Sequence, residues 1–151
     1  SLPLLIIVFC FSCGKTKHKK VQDDFYTYSK IGDLYRMPLI KPVEVISTTG
    51  SEADWVAKLP YHTLKNKSSI EITSATAVNG IAILYSESTY FESGMREVWI
   101  IIDPATKTEM DFSAIVNYRQ ELKRRKLKEP HLYPVHKLYT QFKETGKLPF
   151  K

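Results

Sequence analysis

The sequence predicts an α+β domain: an antiparallel β-meander of four to five strands, with two C-terminal helices packed on one face. Three observations carry that expectation. Asn79-Gly80 sits between two runs rich in β-branched and apolar residues. Val98 to Ile102 is an unbroken apolar run. Two segments beyond Ser113 repeat apolar residues at spacings of three and four.

Leu34 to Thr48 reads as extended, and Pro38 and Pro42 assign it to a sheet edge, where a missing N–H is tolerated. Val43, Val45 and Ser47 fall on one face, with Glu44 and Ile46 on the other. Thr48 to Ser51 is a loop, and Ser51 or Asp54 is placed to cap a short turn. Trp55 to Leu59 is too short to classify. Pro60 ends it, and a polar connection runs from Tyr61 to Ser69.

Ile70 to Val78 and Ile81 to Ser88 form the clearest unit. Asn-Gly accepts positive φ at both turn positions, as a type I′ hairpin requires. That turn pairs Val78 with Ile81, Thr76 with Ile83, Ser74 with Tyr85 and Ile72 with Glu87. One face then carries Ile70, Ile72, Val78, Ile81, Ile83 and Tyr85, and its large residues mark it as the main core side. The other carries Ala75, Ala77, Ala82 and Leu84, small enough for another element to approach closely.

Glu87 to Gly94 reads as a polar loop holding Tyr90 and Phe91. Glu97 to Asp103 is a central strand, apolar on both faces and hence covered on both. Asp103 to Thr106 turns the chain into a last strand, Lys107 to Phe112. Ser113 or Asp111 begins a helix with Phe112, Ile115, Val116, Tyr118 or Arg119, and Leu122 as its stripe; Pro130 stops it. Pro134 precedes a second helix with Val135, Leu138, Tyr139 and Phe142 as its stripe, ended by Gly146.

A chain of 151 residues with 43% hydrophobic and 25% charged residues suits one globular domain. Its net charge of +6 is unevenly distributed. Residues 21–114 hold 8 basic and 13 acidic side chains, a net of −5, while the cations gather at Lys15 to Lys20 and from Arg119 onward. No Gly-rich phosphate loop, Gly-x-Ser-x-Gly elbow or His-x-x-x-His pair occurs, so the sequence offers no catalytic set, cofactor motif or metal site. His18, His62, His131 and His136 share no ligand spacing. Cys10 and Cys13 form a Cys-x-x-Cys, but in an apolar run with no strand–helix context and no second ligand pair.

The first eleven residues carry no charge. Leu2 to Phe11 is about half the length of a membrane span and fits the apolar region of a secretory signal. The alternative is a buried N-terminal strand or helix of the domain; the lysines that follow favour the leader. Ser12-Cys13-Gly14 after this run resembles a bacterial lipoprotein signal, in which a small residue precedes the lipidated cysteine. Cys10 suits that role less well, because bulky Phe9 stands before it. The resemblance implies cleavage before Cys13 and lipid on Cys13. It covers the first fourteen residues alone.

The expected organisation is therefore an N-terminally truncated signal peptide over residues 1–12, a lipidated tether over 13–33 and a single α+β domain over 34–151. The expected protein is a lipid-anchored, non-enzymatic binding module of the bacterial cell envelope, on the periplasmic or outer-membrane side. Its partners are the membrane, through the anchor, and another protein; nucleic acid is excluded by that location. The candidate partner-binding residues are Tyr90, Phe91, Trp55, Tyr61, Arg124 and Arg125. A toxin-immunity lipoprotein and an envelope hydrolase, the latter built around His62, are the alternatives.

Overall fold

The computed structural model describes residues 23–27, 30–31, 34–50, 52–61, 68–91 and 94–150. Cys13, His18 and His62 lie outside the described residues. So do the side chains of Tyr90 and Phe91.

The α+β class and the antiparallel meander are both present, but the strands divide into two sheets. After a short 3-10 turn at Asp24–Tyr26, the first sheet runs β1 (Lys30–Ile31), β2 (Leu34–Ile40), β3 (Val43–Ser47), β4 (Trp55–Lys58) and β5 (Ser69–Glu71), each beside its predecessor. The second holds β6 (Ser74–Val78), β7 (Ile81–Phe91), β8 (Gly94–Asp103) and β9 (Thr108–Phe112) in order, with β10 (Tyr133–Pro134) added beside β6. Among the described residues there are two α-helices, α1 (Ile115–Arg124) and α2 (Val135–Thr145).

The stretch expected as one edge strand is a hairpin. It turns at Lys41-Pro42, and β2 pairs with β3. Pro38 is accommodated next to a register shift between Pro38 and Ile40. Val43, Val45 and Ser47 point inward, as alternation requires. The fold also extends into the stretch expected as a tether: β1 pairs with β2, and Arg36 donates to the Phe25 carbonyl at 3.0 Å.

Ile70 to Val78 is likewise two strands. The Ile72 N–H donates to the Trp55 carbonyl in the first sheet, and the Thr73 N–H donates to the Tyr85 carbonyl in the second, both at 2.9 Å. The chain thus changes sheets between adjacent residues, so Ile72 does not pair with Glu87. The nearer pairs form as expected, from Val78 with Ile81 to Ser74 with Tyr85. The crossing also changes the faces. Ile70 and Ile72 join Ala75, Ala82 and Leu84 in the larger core, which the first sheet shares through Met37, Leu39, Val45 and Trp55. The main core is therefore on the small-residue face, because small side chains let the other sheet and α2 come close.

β8 is central, between β7 and β9, and buried on both faces. Val98, Ile100 and Ile102 enter the inter-sheet core; Trp99 and Ile101 face outward onto a second cluster. The helices divide in the same way. α2 lays Val135, Leu138, Tyr139 and Phe142 into the inter-sheet core, while α1 lays Tyr118 and Leu122 onto Trp99 and Ile101. They cover opposite faces of the second sheet, not one face, because β8 offers an apolar surface on each side. Glu87 to Phe91 is strand rather than loop: β7 and β8 stay paired out to Phe91 and Gly94, past a register shift between Ser86 and Thr89.

Candidate functional site

α1 begins on Ala114, which makes no side-chain cap; neither Ser113 nor Asp111 caps it. Its phase is set by Tyr118 and Leu122, four apart and both buried against β8. Ile115 and Val116, expected in the stripe, are exposed as a result. The opposite side of the helix carries Arg119 and Lys123 outward.

The end of α1 shapes the site. The Leu127 N–H donates to the Leu122 carbonyl at 2.9 Å and the Lys126 N–H to the Lys123 carbonyl at 3.0 Å. Lys126 adopts the left-handed conformation, φ 57°. This is a Schellman closure, and the usual apolar contact between its flanking residues is made by Leu122 and Leu127. The chain then doubles back along the helix. Glu129 accepts two hydrogen bonds from Arg119, at 2.9 and 3.2 Å. Between helix and returning chain lies a groove of about 320 Å³. Arg119 and Lys123 on α1, with Lys126 at its closing turn, form one wall, Lys128 and Glu129 the other, and half-buried Leu127 contributes apolar surface over the covered Leu122. No carboxylate among the described residues lies within ion-pair distance of Lys123, Lys126 or Lys128.

Tyr118 lies beside this groove in sequence and packing. It is 1% exposed, and its hydroxyl has no hydrogen-bond partner among the described residues. Burial pushes its pKa up to about 12; the charge of Glu129 adds to the rise and that of Arg119 opposes it.

The two arginines singled out in the sequence have other tasks. Arg124 is 67% exposed but is held by Glu121, through Nε at 2.7 Å and Nη2 at 2.6 Å. Arg125 is 13% exposed and bridges Glu121 at 2.6 Å and Asp103 at 3.0 Å. Arg125 is thus a clamp between α1 and the end of β8. The Arg124 and Arg125 guanidiniums beside Glu121 outweigh its burial and hold its carboxyl below the usual range. Burial acts to raise Asp103, but hydrogen bonds from Thr106, Arg125 and Ala105 outweigh it and bring the carboxyl down.

Trp55 is core rather than surface. It is 2% exposed, lies 4.8 Å from the Tyr139 ring centroid, and donates its indole N–H to the Glu52 carbonyl at 2.8 Å. Tyr61 is half-buried against the same core, and its backbone N–H donates to the buried Glu109 carboxylate at 3.3 Å. Tyr90 and Phe91 stand on the β7–β8 arm, opposite Met95 and Gly94. The structure does not gather these residues into one patch with the arginines. The basic groove was only partly visible in the sequence. Arg119, Lys123 and Lys126 follow at i, i+4 and i+7, but the return of Lys128 and Glu129 depends on the left-handed turn at Lys126.

A second depression, about 340 Å³, lies by the Asn79-Gly80 turn among Tyr26, Ile40, Val78 and Phe150, and has no charged side chain in its lining. Among the described residues, no cluster of three metal-binding side chains occurs and no helix is long and apolar enough to cross a membrane. No known protein family, curated protein or solved structure matches the chain.

Proposed function

We propose that this chain is a lipid-anchored, non-enzymatic binding module of the bacterial cell envelope, held at Cys13 and bound to another protein through the face that carries α1. The observation that carries the reading is the order of layers. Arg36 and Glu44 pair on the outer face of the first sheet, and the Phe25 segment lies over Arg36, with its ring 4.8 Å from the guanidinium carbon. Next inward come the first sheet, the shared core with α2, and the second sheet; α1 is outermost on the far side. In this reading the tether precedes Asp23 on the first-sheet side, and the groove lies by α1 on the far face of the second sheet. Cations without ion pairs among the described residues, beside apolar surface, hold an anionic partner; their chemistry suits binding rather than bond breaking. Tyr90 and Phe91, on the β7–β8 arm, belong to the same proposal as further contacts.

The anchor is tested by metabolic labelling with a fatty-acid analogue and membrane fractionation. The native chain takes up label and sediments with membranes, and Cys13→Ser does neither. Label and sedimentation that survive Cys13→Ser overturn the site. The partner is tested with a photo-crosslinking residue at Lys123 in cells. A discrete protein adduct is expected; adducts to lipid alone, or none, overturn the protein-partner reading.

A further inference from the structure

We infer that the groove at the end of α1 takes a short acidic protein segment bearing an apolar side chain, and that Glu129 occupies Arg119 until such a segment displaces it. The inference deepens the protein-partner reading above and rests on it only for the source of the ligand.

Three features of the groove lead there. First, Lys123, Lys126 and Lys128 surround it without ion pairs among the described residues, whereas Arg124 and Arg125, one and two residues after Lys123, are both held by Glu121. Second, Lys126 takes a left-handed position. The equivalent position at the end of α2 is Gly146, φ 68°. A side chain with a Cβ is disfavoured there, so the turn gives up stability and gains a cation at the mouth of the groove. Lys107 is also left-handed, in the β8–β9 turn, so the conformation alone marks no site; the charged groove around Lys126 does. Third, Glu129 holds Arg119 by two bonds in an exposed pair, with side chains 48% and 55% exposed. Exposed pairs contribute little net free energy, so an incoming carboxylate exchanges with Glu129 at little cost.

Leu122 and Leu127 add the apolar half of the recognition. Leu127 is the half-buried member that a branched aliphatic side chain of the segment can cover, with Leu122 packed beneath it, while the segment's neighbouring carboxylates meet the lysines. A lipid headgroup shares the anionic chemistry but carries no branched aliphatic group beside its charge to cover Leu127, which favours a protein segment.

The test is fluorescence anisotropy on the domain with three probes: a short peptide of alternating glutamate and leucine, a polyglutamate of equal length, and phosphatidylglycerol vesicles. The mixed peptide is expected to bind best and to weaken as salt rises, since exposed charges are screened over about 8 Å at physiological ionic strength. Lys123→Glu with Lys126→Glu weakens it by about tenfold or more, and Glu129→Gln tightens it by about two- to fivefold. Lys126→Gly, which relieves the turn and cannot be dismissed as misfolded, weakens it by about twofold or more. Equal binding of polyglutamate overturns the apolar element. An unchanged affinity in Glu129→Gln overturns the displacement by a ligand carboxylate. Binding of vesicles in preference to both peptides overturns the choice of a protein segment. If no peptide binds while the Lys123 crosslink still captures a protein, this inference falls and the protein-partner reading stands. If the peptide binds and no protein is captured, the reverse holds.

Discussion

Arg125 Nη1 lies 3.0 Å from Asp103 Oδ2, and this pair ties the last turn of α1 to the end of β8. The same guanidinium reaches Glu121 at 2.6 Å, so one side chain joins two carboxylates from different elements. Removing it leaves Asp103 without its ion-pair partner and Glu121 with Arg124 alone, in a largely covered site. Arg125→Leu is expected to destabilise the domain by about 1–3 kcal/mol, read as a lower urea midpoint. Arg124→Leu, which removes an exposed partner of Glu121, is expected to cost less than about 1 kcal/mol.

The pH dependence of stability follows from the same carboxylates. Folding lowers the pKa of Asp103 and of Glu121. A carboxyl depressed in the folded state contributes stability above its unfolded pKa, about 4. That contribution is lost as pH falls from there through the folded value. Thermal melts are expected to be flat in this respect from pH 7 to about pH 5 and to decline below about pH 4. The acid slope should be shallower in Asp103→Asn and Glu121→Gln. An unchanged slope in both would show that other carboxyls control it.

Tyr118 offers a substitution that should cost nothing. Its ring stacks on Trp99 at 5.9 Å, but its hydroxyl is buried without a partner among the described residues. Phe keeps the ring and removes the unsatisfied group. Tyr118→Phe is expected to leave stability unchanged or to raise it by about 1 kcal/mol in chemical denaturation. A loss greater than about 1 kcal/mol would mean the hydroxyl has an internal partner.

The two helix ends make a matched pair. Lys126 and Gly146 are both left-handed, at φ 57° and 68°. Lys126→Gly is expected to stabilise by about 0.5–1 kcal/mol. Gly146→Ala is expected to destabilise by about 1 kcal/mol, and purely through the backbone, because a Cβ there meets nothing within 4 Å. Differential scanning calorimetry of the two variants reads both signs.

Trp55 probes the inter-sheet core. Its ring lies 4.8 Å from Tyr139, which in turn is 5.2 Å from Tyr35, so three aromatics join β2, β4 and α2. Trp55→Ala is expected to cost about 3–5 kcal/mol in equilibrium unfolding.

Local features of this fold were legible because short-range chemistry sets them. Asn79-Gly80 specifies its own turn, so the pairs from Val78 with Ile81 to Ser74 with Tyr85 follow by counting. The α2 stripe of Val135, Leu138, Tyr139 and Phe142 and its stop at Gly146 follow from helical period and backbone freedom. The break at Ile72 and Thr73 was not legible, since both residues suit a continuous strand and only their carbonyl partners, Trp55 and Tyr85, lie in different sheets.

The candidate site divides along the same line. Alternation and period in the sequence determined the meander, the central position of β8, the second helix and the basic character of the segment from Arg119 onward. Only the tertiary structure decided that the helices lie on opposite faces, that the small-residue face is the main core, and which cations pair with carboxylates among the described residues. Arg125 and Lys123 are indistinguishable as charges in a list of residues. One faces Asp103 across the end of β8 and the other faces a groove. The difference comes from groups distant in sequence, because charge pairing and burial depend on distance in space.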